Sequence, residues 1–431
     1  MTGQSDARDP VARRALTSLP RAERSHETRQ PSARAVLAVA SIIAVAFMGS
    51  VIVTPLYSLY QRKFGFSEIT LTLIYAVYVV GNVVALLLFG QISDQLGRKP
   101  VALPALALAA MSALLFLFAH STLWLFLGRL SIGLAVGILS GTGTAWLAEQ
   151  YGGSGRSRAT LTAATANLSG IAIGPLVGGL LAQYAPAPLK LPFLAYMLTL
   201  AIVAVAIACT KETRQQRIHK LTDLRVHPRL GVPRDRIGSF TAPSVTGFVT
   251  FAVGGLYFAL IPSILIQDLH VRNVAVGGLV VFELGLFAAS FIVLGRRLRP
   301  VTAMSGGLVL LLPAVALVVS AQALHSMPLL LIATAFAGAT MALGYRGSLE
   351  MINEIAPDDR RAEVVSSYLI ACFVGNSIPV IGVGVLSRFT DPFIASVVFA
   401  CTIATLSIAA LVWRKRDVRP RKPADNRATV G

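Results

Sequence analysis

Residues 69–91 read ITLTLIYAVYVVGNVVALLLFGQ, an apolar run without a single charged side chain. A helix needs roughly 20 apolar residues to cross about 30 Å of hydrocarbon, and inside lipid the backbone polar groups must be satisfied within the segment. Eleven more such runs lie between Arg34 and Trp413. The sequence therefore predicts an all-α membrane protein with twelve transmembrane helices, at 34–60, 69–91, 100–119, 122–148, 159–183, 189–210, 240–266, 273–294, 300–320, 327–350, 362–387 and 391–413.

The composition agrees with a membrane protein. Of the 431 residues, 55% are hydrophobic and 13% are charged, about half the charged share of a soluble chain. The three cysteines lie in apolar runs, so neither a disulfide framework nor a metal site is expected, and no cofactor is predicted. Residues 1–33 have no apolar core and are therefore no secretory signal. Their arginines are mixed with acidic residues, which favours a disordered cytoplasmic tail over a transit peptide.

The distribution of lysine and arginine predicts the orientation. If both termini are cytoplasmic, 31 of the 38 basic residues lie on that side, as the positive-inside rule requires. The net charge of +18 is then explained by topology and by attraction to anionic lipid. We expect no nucleic-acid partner. A bacterial-type plasma membrane is the predicted location.

A weak internal repeat divides the chain into six plus six helices. An offset of 205 residues carries Gly90 to Gly295, Glu149 to Glu354, Arg156 to Arg361 and Lys211 to Arg416. Two six-helix halves of parallel topology suit a transporter whose site lies between them. The predicted parts are a tail at 1–33, a first bundle at 34–210, a basic linker at 211–238, a second bundle at 239–413 and a tail at 414–431.

The loop between the second and third runs reads Gly90-Gln-Ile-Ser-Asp94-Gln-Leu-Gly97-Arg98-Lys99-Pro100. Its glycines permit a tight reversal. Asp94 offers a carboxylate beside Arg98 and Lys99, so the cluster predicts either a breakable latch between helices or only a basic turn that fixes topology.

This loop resembles the signature of the major facilitator superfamily, Gly-x-x-x-Asp-x-x-Gly-Arg-Lys/Arg, and lies where a six-plus-six chain of that family carries it. The resemblance implies two bundles that rock about a central cavity, with the Asp94 loop steadying one conformation. The second-half equivalent, residues 295–300, has no aspartate, so a one-sided latch is expected.

A lone cation lies in the fourth run, in Arg129-Leu-Ser-Ile-Gly133. A guanidinium within a membrane normally faces protein or water, although Arg129 lies close enough to the outer end to snorkel. The segment resembles the family's span-four Arg-x-x-x-Gly motif, which implies a role in proton coupling. The repeat places Thr334 at the equivalent position, so the second half lacks this cation.

The fifth run contains Gly170-Ile-Ala-Ile-Gly174-Pro175-Leu-Val-Gly178-Gly179. Three glycines at intervals of four form one smooth stripe for close helix contact, and Pro175 is expected to kink the helix. Generic packing explains the spacing. The segment also resembles the antiporter motif, which in this superfamily marks drug:proton exporters.

Glu283 is the deepest acidic residue of the apolar runs, near the middle of the eighth. Intramembrane carboxyl groups are functional candidates by default, so Glu283 is the predicted proton carrier, with a structural glutamate as the alternative. Many drug exporters of the superfamily carry this acid in the first span, which here has none. Glu149 with Arg156, and Glu354 with Arg361, are predicted as further latches or as plain helix-end charges.

Six polar or aromatic residues are predicted to line a substrate cavity. An interfacial aromatic belt explains the tyrosines equally well, and bonding between helices is the alternative for the asparagines. They are Tyr57, Tyr78, Asn82, Asn167, Tyr257 and Asn376.

The sequence as a whole predicts a monomeric, proton-coupled exporter of small amphipathic compounds. No phosphate-binding glycine loop occurs, which argues against ATP-driven transport. The alternatives are a proton symporter that imports a metabolite, such as an anion near Arg129, and a non-transporting receptor on the same fold. A membrane enzyme ranks below these because no catalytic constellation is visible.

Overall fold

The structure is a computed structural model that describes residues 32–89, 92–152, 155–213, 230–357 and 360–417, with the side chains of 156, 157, 362 and 414–417 excluded. Nearly all of the predicted tails and most of the linker lie outside these ranges, so the predicted domain boundaries stay predictions.

Twelve helices of the described residues are long and apolar enough to cross a membrane, which confirms the predicted all-α membrane fold. They are span 1 (Ala33–Val51, Thr54–Leu56 and Tyr57–Phe64), span 2 (Glu68–Phe89), span 3 (Arg98–Leu117), span 4 (Thr122–Tyr151), span 5 (Arg156–Tyr184), span 6 (Leu191–Cys209), span 7 (Ile237–Ala259 and Ile261–Gln267), span 8 (Val274–Leu294), span 9 (Pro300–Ala323), span 10 (Met327–Ile355), span 11 (Arg361–Leu386) and span 12 (Pro392–Asp417).

The spans alternate in direction, so the molecule has two ends. We call the end at which span 1 begins the basic face, because the loops rich in lysine and arginine lie there, and the other end the opposite face. The basic face is the one predicted to be cytoplasmic.

Spans 1 and 7 are broken near the opposite face, where the sequence predicted continuous helices at 34–60 and 240–266. The main helix of span 1 ends at Val51, and Pro55 lies in the 3-10 turn that follows. The main helix of span 7 ends at Ala259, and Pro262 lies in the first turn of the next helix. Proline lacks a backbone donor and is accommodated only at a helix start. The breaks occupy corresponding places in the two halves.

Each half is a six-helix bundle, and two helix pairs make the most extensive contacts between the halves. Within the first half, span 4 packs against spans 2 and 3, and span 1 packs against span 5. Within the second half, span 10 packs against spans 8 and 9, and span 7 packs against span 11. These pairs are spans 5 and 8 and spans 2 and 11, with smaller contacts of span 8 with span 1 and of span 7 with spans 1 and 2.

Span 4 approaches span 2 so closely that only glycine fits at one position. A Cβ atom on Gly133 would collide with the carbonyl oxygen of Tyr78 and would lie 3.2 Å from the backbone nitrogen of Asn82. Gly141, two turns along the same helix, has no heavy atom within 4 Å of its Cβ position. Alanine substitutions at Gly133 and Gly141 therefore distinguish the effect of tight packing from the low helix propensity of glycine.

We expect Gly133→Ala to destabilise the protein by about 1–3 kcal/mol, because the new methyl group overpacks a backbone contact. Gly141→Ala is the matched control and should be neutral or slightly stabilising, since alanine favours the helix by up to about 1 kcal/mol. Thermal unfolding of the purified proteins in detergent measures both. Equal melting temperatures for the two variants would contradict the packing described.

Candidate functional site

Arg129 lies in an enclosed aromatic cage in the first half. Its side chain is 1% exposed, and its Cζ atom lies 4.8 Å from the ring centre of Tyr78, 5.2 Å from that of Tyr75 and 5.8 Å from that of Tyr57. Nη1 donates a hydrogen bond to the Ser50 carbonyl at 2.5 Å. Guanidinium groups over ring faces are stabilised by cation–π attraction, strongly so when desolvated. Arg129 therefore neither faces an open cavity nor snorkels.

The break in span 1 explains why a carbonyl is available to Arg129. The last four carbonyl groups of a helix have no partner within it, and Ser50 lies in the last turn before Val51. The proline-associated break thus supplies an acceptor inside the membrane, and the arginine of span 4 satisfies it. Arg129 Nε is buried without a partner, so the rings carry part of the stabilisation.

The cage is tied to the second half through one hydrogen bond. The Tyr75 hydroxyl donates to Asn376 Oδ1 at 3.1 Å, from span 2 to span 11. Both side chains are buried. A movement of one half against the other must therefore stretch or break a bond made by a residue that contacts Arg129.

The cage makes a prediction for Tyr57, whose hydroxyl is buried without a hydrogen-bond partner. Tyr57→Phe keeps the ring and removes an unsatisfied polar group, so its stability should equal or exceed that of the wild type. Tyr57→Leu removes the ring face, and we expect a loss of about 0.5–2 kcal/mol. Thermal unfolding in detergent separates the two. A loss of equal size in both variants would show that the hydroxyl matters rather than the ring.

Glu283 lies on span 8, in the second half, and is half-buried. Its Oε2 atom is buried without a hydrogen-bond partner, and among the described residues no ion pair reaches it. The Tyr257 hydroxyl lies near this carboxyl and near Thr334, but no hydrogen bond of normal geometry satisfies it. A carboxyl group in such a setting is available to carry a proton.

The repeat relates the cation and the acid. The offset of 205 residues places Tyr78 at the position of Glu283 and Arg129 at the position of Thr334. The first half thus holds a ring and a cation where the second half holds an acid and a hydroxyl. Among the described residues, Glu283 pairs with no cation.

The glycine stripe of span 5 lies against the backbone of span 1. Cβ atoms on Gly170 and Gly178 would collide with the carbonyl oxygens of Ala44 and Ile52, respectively. One on Gly174 would lie 2.7 Å from the carbonyl oxygen of Met48. The spacing of four residues therefore matches one ridge of carbonyl groups along span 1.

The other side of this segment faces span 8 across the two halves. A Cβ atom on Gly278 would collide with the carbonyl oxygen of Pro175. A Cβ atom on Gly179 would lie 3.3 Å from the Cα atom of Gly278. Further along, an added Cβ on Gly285 would lie 2.9 Å from the Cβ of Ala172. Glu283 lies between Gly278 and Gly285 in the sequence but on a different side of span 8, because five residues correspond to about 140° of rotation around a helix.

A charged cluster at the basic face is centred on Arg98, the first residue of span 3. Its Nη2 atom lies 2.6 Å from both Asp94 Oδ1 and Glu149 Oε1, and its Nη1 donates to Ser93 at 2.7 Å. Gly97 precedes it with φ of 101°, a conformation that favours glycine. All of these residues belong to the first half, so in this conformation the cluster joins helices of one bundle.

The start of the linker completes this cluster in a way that the sequence did not predict. Glu212 accepts hydrogen bonds from the backbone nitrogens of Arg98, at 3.1 Å, and of Lys99, at 2.8 Å. It thereby satisfies two of the unpaired donors at the start of span 3, where negative charge is favoured. Thr213 donates to Glu149, and Lys99 Nζ donates to the carbonyl of Ala208 at 2.7 Å. No spacing pattern links 212 to the loop.

The remaining predicted latch residues are Gly90, Arg156, Glu354 and Arg361. Gly90 and the side chain of Arg156 lie outside the described residues. Glu354 is exposed near the end of span 10, and Arg361 is exposed at the start of span 11. Span 10 ends at Ile355 rather than 350, and span 4 ends at Tyr151 rather than 148.

The six predicted cavity residues lie at different places in the fold, and their role in a cavity stays a prediction. Tyr57 and Tyr78 contact Arg129, and Tyr257 is within electrostatic range of Glu283. Asn82 is buried at the contact of spans 2 and 4, where its Oδ1 atom lies 2.8 Å from the Cβ position of Gly137. Asn167 is half-buried on span 5, and Asn376 bridges the halves as described.

The two halves are bonded together at the opposite face. Gln267 Nε2 donates to Glu68 Oε1 at 2.8 Å, and the backbone nitrogen of Val274 donates to Gln183 Oε1 at 2.9 Å. Each bond joins a residue of the first half to one of the second. We call this arrangement, in which Gln267 bonds to Glu68 and Val274 bonds to Gln183, the closed state of the opposite face.

Comparison with known proteins identifies the family. A family model described as Major Facilitator Superfamily matches residues 39–298 and 243–430. The chain belongs to the major facilitator superfamily. The chain is thus a multi-pass membrane protein of a family of transporters rather than of enzymes.

Curated relatives match over shorter stretches. The chain is 26% identical over 159 residues to the bacillibactin exporter of Bacillus subtilis, covering 35% of this chain and 39% of that protein. It is 29% identical over 155 residues to the multidrug resistance protein MdtL of Escherichia coli O157:H7, covering 34% of this chain and 38% of that protein. These matches span well under half of the relatives' length.

Solved structures of this superfamily share the fold. A POT family transporter in complex with a thioalcohol-conjugated peptide superimposes with a TM-score of 0.71 at 11% identity, covering 89% of this chain and 96% of that one. A bacterial homologue of the human lysosomal transporter Spinster, inward-facing and occupied, gives a TM-score of 0.67 at 15% identity, covering 90% and 98%. At these identities the comparison supports the fold alone.

Proposed function

We propose that this transporter exports a small amphipathic compound in exchange for protons, and that Glu283 carries the proton. The observation that carries the proposal is the Glu283 carboxyl on span 8, which has a buried oxygen without a partner. An acid of this kind binds and releases a proton at low cost when its exposure changes.

The position of Glu283 supports its coupling to conformational change. Gly278 and Gly285 on the same helix contact span 5 of the first half. When the halves rock, these contacts must slide or separate, and the resulting movement of span 8 alters the access of water to the Glu283 carboxyl. Protonation from one side and release to the other then follow the same movement that carries the substrate.

The glycine segment of span 5 and the relatives support export. The segment resembles the antiporter motif of the superfamily, and its two sides contact span 1 and span 8. Two of the matched relatives carry the names bacillibactin exporter and multidrug resistance protein. Arg129 is enclosed by three tyrosines, which argues against the example of an anionic substrate bound by Arg129 within the symporter alternative.

The energetics of the exchange are sufficient for export. One elementary charge that moves down a potential of 100 mV releases about 2.3 kcal/mol, and a pH gradient adds to this amount. The cycle that we propose has the proton bind Glu283 from the opposite face and leave at the basic face. The substrate travels the other way. The cluster of Asp94, Arg98 and Glu149 steadies the first bundle as it moves.

We expect Glu283→Gln to abolish proton exchange driven by substrate while the fold and the substrate binding remain, because glutamine matches the shape but holds no exchangeable proton. The purified protein is placed in liposomes with a trapped pH dye, and antibiotics, dyes and metabolites are added in turn. The proton flux of the variant should fall at least tenfold, to the level of empty liposomes.

The matched control is Asp235→Asn, which removes a carboxylate whose side chain is 74% exposed at the basic face. This control should transport like the wild type. Undiminished coupling in Glu283→Gln would refute the assignment of the proton carrier. Substrate binding by the wild type without any flux would favour the receptor alternative instead.

A further inference from the structure

Three carboxylates meet at the opposite face, away from Glu283. Glu68 starts span 2, Asp268 follows the short helix of span 7, and Asp391 precedes span 12. Among the described residues, no arginine or lysine makes an ion pair with any of them. The basic side chains of this face include Arg272 and Arg388, both in neighbouring loops. The acids must therefore be stabilised by water, hydrogen bonds or protons.

Glu68 belongs to the first half and is hydrogen-bonded to the second half. Glu68 accepts the hydrogen bond from Gln267 that helps to close this face. Glu68, Gln267 and Asp268 together line a cleft of about 20 Å³, which is room for about one water molecule. We call the contact between the halves at these residues the seam. It contains one acid from each half, Glu68 and Asp268, and has room for about one water molecule.

Asp268 has a perturbed protonation equilibrium in this closed arrangement. Burial raises the pKa of the Asp268 carboxyl, and the nearby charges of Asp391 and Glu68 raise it further. His325 and His270 act in the opposite direction. The His325 Nδ1 atom lies 2.5 Å from the backbone carbonyl oxygen of Asp268, and the two histidine rings are 5.6 Å apart.

Opening of this face would remove two of the causes that raise the pKa of Asp268, namely its burial and the nearby charge of Glu68. Asp391, His270 and His325 are in the second half and move with Asp268, so their influence persists. Glu68 is in the first half and would move away, and separation of the seam would hydrate Asp268. The pKa of Asp268 is therefore higher in the closed state than in the open state.

The sign of the pH dependence follows from this difference. A state in which a carboxyl group has the higher pKa binds more protons and is favoured by acid. The advantage of the closed state is complete at low pH and is lost as the pH rises through the raised pKa of Asp268. When Asp268 loses its proton, its negative charge repels that of Glu68 across the seam, which favours separation.

We propose that Glu68 and Asp268 form a proton-binding site at the opposite face, and that proton binding there holds this face closed. The site is separate from Glu283 and does not depend on the proposed direction of transport. If the opposite face is extracellular, acid outside the cell would favour closure of the carrier on that side.

The test measures the separation of the halves at the opposite face as a function of pH. Spin labels are attached to Ser121→Cys and Leu324→Cys, two exposed loop positions in different halves, with Cys209 and Cys401 replaced by alanine. Cys372 remains, because its side chain is 0% exposed and does not react readily. Double electron–electron resonance spectroscopy in lipid nanodiscs, without substrate, measures the distance between the two labels and so the closed and open populations.

The closed-to-open ratio should be higher at pH 5 than at pH 8, by up to about tenfold for each unit of difference in the pKa of Asp268 between the two states. Glu68→Gln and Asp268→Asn imitate the protonated acids, so each should flatten the pH response and leave the face closed at both pH values. The glutamine introduced by Glu68→Gln keeps a carbonyl oxygen that can accept the bond from Gln267, which protects the fold. Asp235→Asn is the control and should respond like the wild type.

Two further variants separate this site from other titrating groups. Glu283→Gln should keep the response, and its loss there would assign the effect to the transport proton instead. His270→Asn with His325→Asn should also keep it, and asparagine suits their positive φ angles of 56° and 48°. A wild type with equal populations at pH 5 and pH 8, or a full response in Asp268→Asn, would overturn the proposal.

Discussion

A charged group inside hydrocarbon has to be enclosed by polar or polarisable partners, and the arrangement of the first half depends on this constraint. Arg129 of span 4 is surrounded by three tyrosine rings and a freed carbonyl of span 1. The carbonyl is free because span 1 breaks before Pro55. Helix break, cage and cation therefore form one unit, in which each part stabilises the others.

The second half satisfies the same constraint differently. At the position equivalent to Tyr78 it carries Glu283, which pairs with no cation of the described residues, and at the position equivalent to Arg129 it carries Thr334. An arginine stays charged under all physiological conditions, whereas a carboxyl group can be neutralised by a proton. One half thus holds a permanent charge in a fixed cage, and the other holds a charge that can be switched. This asymmetry is what a proton-coupled carrier needs.

Close backbone contact connects these two elements. Span 5 approaches span 1 through Gly170, Gly174 and Gly178, and it approaches span 8 through Pro175 and Gly179. Side chains at these positions would hold the helices apart. Because several of these close contacts involve backbone atoms, the movement that we propose is a sliding of span 8 along span 5. The cluster around Arg98 at the basic face ties the remaining helices of that bundle to the start of the linker.

The sequence predicted what depends on local pattern and missed what depends on the assembled fold. Twelve apolar runs predicted twelve spans because length and hydropathy decide membrane insertion. The breaks at Pro55 and Pro262 were missed, since proline is tolerated at the start of a new helix and leaves the hydropathy unchanged. Tyr57 and Tyr78 suggested a cavity or a belt, because only the approach of span 4 reveals Arg129 between them. Glu212 was missed because it reaches Arg98 over more than a hundred residues of chain.

The central claim, that Glu283 exchanges the transported proton, is tested most directly by difference infrared spectroscopy of the carboxyl C=O stretch in reconstituted protein. The account predicts a protonated-carboxyl band that changes when substrate is added and that is absent from Glu283→Gln. A band of the same size and the same response in that variant would contradict it, because the proton would then be carried by another group.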